Sequence, residues 1–206
     1  MDRRGRGGPV LSVSGAKGEV AVLEPSAAER AIGRRAAESR ATVPVLELRV
    51  ELPGGAELST GLLIEACASA LRQHPRANGA YRDGHFELYS RINVGVVVAE
   101  GERYLIPNVF DADTKPAAEL EEAVARISRE ALAGALSASA FSGATFTVWN
   151  AGRLGIASAS IPVVSPQAAA LTAGTHALTL SCDHRILYGA LATAFLASVK
   201  ARLESG

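Results

Sequence analysis

Apolar and polar positions alternate strictly over Leu46-Glu47-Leu48-Arg49-Val50-Glu51-Leu52, the period-two pattern of a strand with one buried and one wet face, and Pro53-Gly54-Gly55 closes it. The period then changes. From Ser59 or Thr60 onward, Leu62, Leu63, Ala66, Cys67, Ala70 and Leu71 share one helical stripe that Pro75 stops, which assigns Cys67 to the core. A second stripe, Leu120, Val124, Ile127 and Ala131, predicts a helix over 117–133 with Gly134 just past its end. Upstream, Ser26 with Glu29 three residues on has the form of a capping box opening a helix to about Ser39. A last amphipathic helix is expected over 190–204.

Strands fill the intervals. Asn78-Gly79 and Asp83-Gly84 mark turns, and 86–89 and 94–99 read as strands, the second nearly all apolar and so buried on both faces. The run 104–110 contains Pro107, which predicts an edge or a bulge. Four further strands are expected over 145–149, 156–164, 168–173 and 177–182, separated by turns at Asn150, Gly152, Gly155, Pro166 and Gly174. Residues 1–25 mix glycine, proline and charge without a stable period and read as a flexible arm, leaving one domain over 26–206. The pattern predicts an α/β (α+β) fold, helices packed on a mixed sheet.

Composition narrows the function classes. The 206 residues suffice for one core, and 21 basic against 21 acidic residues give zero net charge, with no long-range field to attract nucleic acid or an anionic membrane. No apolar run approaches the roughly 18 residues that span a bilayer, so a soluble protein with no membrane partner is expected. The two cysteines, Cys67 and Cys182, lack CxxC spacing, and no secretory leader precedes them; a reducing, cytoplasmic setting follows.

Candidate chemistry concentrates in Ser181-Cys182-Asp183-His184-Arg185-Ile186-Leu187-Tyr188-Gly189-Ala190. His184, between a strand and a helix, is either a hydrogen-bonding structural residue or a general base, since imidazole titrates nearest to neutral pH. Periodicity does not choose between the two. Cys182 is expected to pack in the core. His74, before Pro75, reads as a solvated residue at a helix end, and His85 and His176 open strands without partners at metal-ligand spacing, so no metal site is expected. Asn150-Ala151-Gly152-Arg153-Leu154-Gly155 lacks the lysine and the helix of a phosphate loop and reads as a turn.

Four ordered segments carry a family resemblance. LTLSCDHRILYGALATAFLASVKARLE resembles the C-terminal signature of the dihydrolipoamide acyltransferase component of 2-oxo acid dehydrogenase complexes, in which DHRxxDG precedes the last helix. AIGRRAAESRATVP is similar to that family's opening helix and strand, INVGVVVAEGERYLIPNVFDADTKPAAEL to its central strands and following helix, and FSGATFTVWNAGRLG to its FxGGTFTISNLGxxG segment. The family belongs with chloramphenicol acetyltransferase and the peptide-synthetase condensation domains.

The resemblance implies a chloramphenicol acetyltransferase-like mixed sheet in a homotrimer capable of higher assembly, with the active site between subunits. It implies a coenzyme A thioester as substrate rather than a bound cofactor. His184 takes the position of the general base, with Asp183, Arg185 and Gly189 at their motif positions and Asn150 as a supporting residue. Trp149 falls where the family has the serine that stabilises the oxyanion. Tyr188 falls where it has the second aspartate, whose arginine partner is expected at Arg34 or Arg35. Thr147, two residues before Trp149, is a substitute donor. The stretch from Gln167 to His184 is shorter than in typical members, as though a hairpin were trimmed, and no lipoyl group is expected on this chain.

Two functions follow. One is a stand-alone acyltransferase taking an acyl group from acyl-CoA or an acyl-carrier protein to a thiol or hydroxyl. The other is a catalytically inactive homologue serving as a trimeric scaffold or assembly subunit.

Overall fold

The computed structural model describes residues 12–16, 18–52, 58–101 and 103–205. The described residues fall into two units, one ending at Ala37 and the other beginning at Glu38. In the first, β1 (Ser12–Gly15) and β2 (Gly18–Ala21) pair antiparallel, Ser12 opposite Ala21. Composition predicted an irregular arm here. The hairpin escaped because β2 is exposed throughout, so its pairing imposes no apolar alternation.

The helix α1 (Ala27–Thr42) opens on the expected box: the Ser26 N–H donates to Glu29 Oε2 at 2.6 Å and the Glu29 N–H to Ser26 Oγ at 3.3 Å. These bonds hold the Glu29 carboxyl below its ordinary range. It runs three residues past the expected end.

The second unit contains β3 (Val45–Glu51), α2 (Thr60–Gln73), β4 (Gly79–Arg82), β5 (His85–Leu88), β6 (Val94–Val96) and β7 (Val98–Glu100). It continues with β8 (Arg103–Leu105), β9 (Asn108–Val109), α3 (Ala117–Leu132), β10 (Phe146–Asn150), β11 (Ala169–Ala173), β12 (Ala177–Asp183) and α4 (Gly189–Glu204). The expected closure of β3 at Pro53-Gly54-Gly55 lies outside the described residues.

Six strands form one sheet in the order β3-β12-β11-β10-β6-β9. Strand β10 runs parallel to both neighbours and the other pairs are antiparallel, giving the mixed sheet expected. Helix α2 lies between α3 and α4, and the three cover one face. Leu46, Leu48 and Val50 of β3, Phe146 and Val148 of β10, and Leu178, Leu180 and Cys182 of β12 point into that layer. Burying each of the larger side chains contributes about 1.5–3 kcal/mol.

The opposite face carries the alternate residues. Thr147 and Trp149 sit there on β10, Ala170 and Thr172 on β11, Thr179 and Ser181 on β12.

Three strand expectations change. The apolar run 94–99 breaks at Val97, whose N–H turns to Val148 O at 2.9 Å; β6 stays in the large sheet while β7 leaves it to pair with β8. The proline-bearing run is divided in the same way, and its β9 is a sheet edge. Residues 156–164 form no strand. Pro162 has no N–H to give a ladder, and β10 already has a neighbour on each side. Ile161 packs instead over Ala170 on the outer face.

The connection between β11 and β12 is a tight turn. A Cβ on Gly174 would lie 2.1 Å from Ala157 O, so only glycine admits the 156–157 segment against that turn.

Candidate active site

Strand β12 ends at Asp183, and a short turn separates it from α4. Asp183 is 3% exposed. Its Oδ1 accepts from the Arg185 backbone N–H at 3.0 Å and from Nε at 2.9 Å, and its Oδ2 accepts from Nη2 at 2.7 Å. This fork closes the turn on itself. The His184 N–H donates to Pro44 O at 2.9 Å, while the Ile186 and Leu187 N–H groups return to Asp183 O at 3.1 and 2.9 Å. Because Ile186 and Leu187 are buried beneath it, the turn leaves His184 exposed on a fixed backbone. Gly189, at φ +44°, opens α4 in the left-handed region, which accounts for glycine at that motif position.

Tyr188 stands edge-on to His184, ring centroids 6.4 Å apart at 87°. Its hydroxyl accepts from Arg76 Nη1 at 3.0 Å. Arg34 and Arg35, the expected partners at this motif position, are exposed residues of α1; the partner of the hydroxyl is Arg76, just past α2. The Arg76 guanidinium also lies 4.6 Å from the Phe86 ring centre, and that of Arg185 lies 4.6 Å from Tyr81. Tyr81 and Phe86 are directly opposed across β4 and β5. Sequence reasoning missed this group. The two-residue Asp83-Gly84 turn fixes the Tyr81–Phe86 pairing and was legible, but nothing local signals that Arg76 enters it.

The other candidates are not gathered here. By register Trp149 is level with Thr172, and Thr172 with Thr179, so His184, just past the end of β12, lies five residues farther along the chain and two strands over. The separation along the strand is on the order of 16 Å at about 3.3 Å per residue. Trp149 is half-buried, packed with Tyr104 and Ile106 onto the cluster of Val97, Ile161 and Ala170.

Thr147 is not a free donor. Its hydroxyl is buried and donates to Gln167 Oε1 at 2.7 Å. Asn150 also has a structural task, donating from Nδ2 to Leu58 O at 2.7 Å and Thr60 Oγ1 at 3.2 Å, which ties the end of β10 to the start of α2.

Cys182 faces the helical layer as expected. Burial and the neighbouring Asp183 charge push its thiol up to about 12, so it stays protonated and is no nucleophile at neutral pH. Burial raises Cys67 likewise. His74 departs from expectation: it is half-buried, its Nε2 lies 2.9 Å from Ser198 Oγ, and its ring meets Phe195 edge-on. It joins α2 to α4. His85 and His176 are exposed, and no cluster of three metal-ligating side chains occurs among the described residues. None of the described helices is long and apolar enough to cross a membrane.

A mixed sheet covered by three helices, with a histidine presented at the end of β12, defines the chloramphenicol acetyltransferase type of fold; that enzyme's structure superposes with a TM-score of 0.50 at 13% identity, over 82% of this chain and 94% of the other. Residues 45–206 match the model of the 2-oxoacid dehydrogenases acyltransferase (catalytic domain), and the chain belongs to that family. It is 31% identical over 176 residues to component 3 of the Arabidopsis thaliana dihydrolipoyllysine-residue acetyltransferase of the pyruvate dehydrogenase complex, covering 75% of this chain and 33% of the relative. A probable dihydrolipoamide acetyltransferase from Listeria monocytogenes superposes with a TM-score of 0.85 at 24% identity, covering 90% of this chain and 95% of the other. The chain spans between 33% and 50% of the length of the first relatives it matches.

Proposed function

We propose that this chain is an acyl-transfer domain in which His184 is the general base. The acyl group comes from a thioester of coenzyme A or of a carrier protein, and the acceptor is a thiol or a hydroxyl. In the step proposed, the imidazole takes the acceptor proton as the acceptor sulfur or oxygen bonds to the thioester carbonyl carbon. The tetrahedral oxyanion then collapses, the carbon–sulfur bond to the donor breaks, and the imidazolium returns the proton to the leaving thiolate. The observation that carries this reading is the exposed imidazole on a turn closed by the Asp183–Arg185 fork, free to face an incoming substrate.

The distance between His184 and Trp149 within one protomer supports a site completed by a second copy. A homotrimer with the substrate channel at its interfaces, and with further assembly open to it, is the arrangement the family likeness favours.

Specific observations favour a second reading, a catalytically silent subunit that assembles with others. The indole of Trp149 replaces the implied serine, and the nearby Thr147 hydroxyl is committed to Gln167. Losing one oxyanion donor costs about 2.7–4 kcal/mol of transition-state stabilisation, which slows the reaction without abolishing it.

Turnover of acyl-CoA with a panel of thiols and alcohols separates the readings. His184→Ala is expected to lower kcat/KM about 10²- to 10⁴-fold. Equal rates in the two proteins would remove His184 as base, and a folded oligomer without turnover in either would leave the silent subunit.

A further inference from the structure

We propose that Arg76 seats a carboxylate of the substrate held at His184, so that this domain selects anionic acceptors or anionic acyl groups over their neutral counterparts. The inference rests on the acyl-transfer reading for its reaction and on the geometry around Arg76 for its specificity.

Four other described arginines are already paired with carboxylates. Arg72 pairs with Asp113, Arg82 with Glu87, Arg91 with Asp111 and Arg185 with Asp183. Among the described residues, Arg76 contacts neutral groups: the Phe86 ring at 4.6 Å, the Tyr188 ring at 5.8 Å, and the Tyr188 hydroxyl at 3.0 Å. A guanidinium has five N–H donors, and this hydroxyl takes only one. The two rings hold the plane of the charge in place, so an incoming carboxylate meets a fork already oriented rather than a free side chain.

Position matters as much as charge. Tyr188 borders both groups, its ring edge-on to His184 and its hydroxyl on Arg76. A substrate reaching the imidazole therefore passes along the same phenol that orients the guanidinium. Phe86 and Tyr188 are each 43% exposed, which leaves apolar surface for the substrate's carbon chain beside the charge. The residue type at 188 fits this use. A tyrosine hydroxyl accepts the hydrogen bond from Arg76 without cancelling its charge, whereas a carboxylate there would form an internal ion pair.

The test uses matched substrates. On the acceptor arm, 3-mercaptopropionate and 6-mercaptohexanoate are compared with their amides. On the donor arm, succinyl-CoA is compared with butyryl-CoA. The expected result is a preference of about tenfold or more in kcat/KM for the carboxylate on one arm, carried mainly by KM and dependent on chain length. In Arg76→Gln this ratio falls toward one, and Arg76→Lys, which keeps the charge without the fork, retains part of it. The arm that shows the preference identifies which substrate carries the anion.

Binding without turnover keeps this proposal separate from the reaction. In the wild-type protein, benzoate is expected to move the Tyr188 and His184 ring signals in NMR spectra saturably. Benzamide is not, and Arg76→Gln abolishes the benzoate response. Benzoate binding without any acyl transfer would leave the carboxylate seat standing and sink the reaction. Turnover with no carboxylate preference on either arm, together with no benzoate response, would overturn the seat.

Discussion

The two ends of the central sheet treat polar chemistry in opposite ways. At the His184 end, the bonds that close the turn come mostly from within four residues and from Pro44 and Ala168, and the buried carboxylate of Asp183 is met by a guanidinium two positions away. At the Trp149 end, the outward residue of β10 is held by packing on the outer cluster of Val97, Ile161 and Ala170, and the hydroxyl of Thr147, two residues earlier on its face, is committed to Gln167. A self-contained turn keeps its geometry while its surroundings change. A hydrogen-bond donor on a strand depends on what lies across from it, and here apolar packing has taken that place.

The largest expected effect attacks the first end. Arg185→Ala leaves the Asp183 carboxylate, 4% exposed in its side chain, without its partner. Removing one member of a fully buried pair costs about 3–5 kcal/mol. Because the Arg185 side chain is 35% exposed, the expected loss is smaller, about 2–3 kcal/mol in denaturant unfolding. Turnover is expected to fall more steeply than the folded fraction, since the turn presenting His184 loses its closure. A variant as stable as the parent would show that backbone bonds alone hold the turn.

The second end is tested by Trp149→Ser beside Trp149→Ala. Both empty part of the cluster with Tyr104 and Ile161, and the half-buried indole predicts about 1–3 kcal/mol of lost stability, below the range for a fully buried tryptophan. If the serine hydroxyl supplies the missing oxyanion donor, Trp149→Ser exceeds Trp149→Ala in kcat by about tenfold to a hundredfold. Equal rates in the pair would mean that bulk rather than a lost donor sets the activity at this end.

Sequence pattern and structure agree wherever one face of one element decides the outcome. Leu120, Val124, Ile127 and Ala131 are all buried on α3, and Leu46, Leu48 and Val50 all turn inward from β3. The residues 156–164 carry the Ile and Val of a strand, yet sheet membership depends on a free edge that no local window contains. The environment of His184 was legible in its motif residues and illegible in its neighbours. Arg76 meets Tyr188 across 112 positions, as His74 meets Ser198 across 124, and neither contact leaves a periodic trace.

The smallest effect sharpens the contrast most. Thr147 and Trp149 share a face, and a hydroxyl at 147 stands one strand repeat from the position where the family resemblance implies a serine. The 2.7 Å bond to Gln167 Oε1 decides its role, because a fully buried hydroxyl that donates there has no proton left for an oxyanion. Thr147→Val therefore orphans the Gln167 oxygen and is expected to cost about 1–2 kcal/mol of stability. With that hydroxyl committed to Gln167, the turnover of the folded protein is expected to stay within about twofold. A tenfold fall in kcat with unchanged stability would move Thr147 into the reacting site, and with it the boundary between the packed end of the sheet and the chemical one.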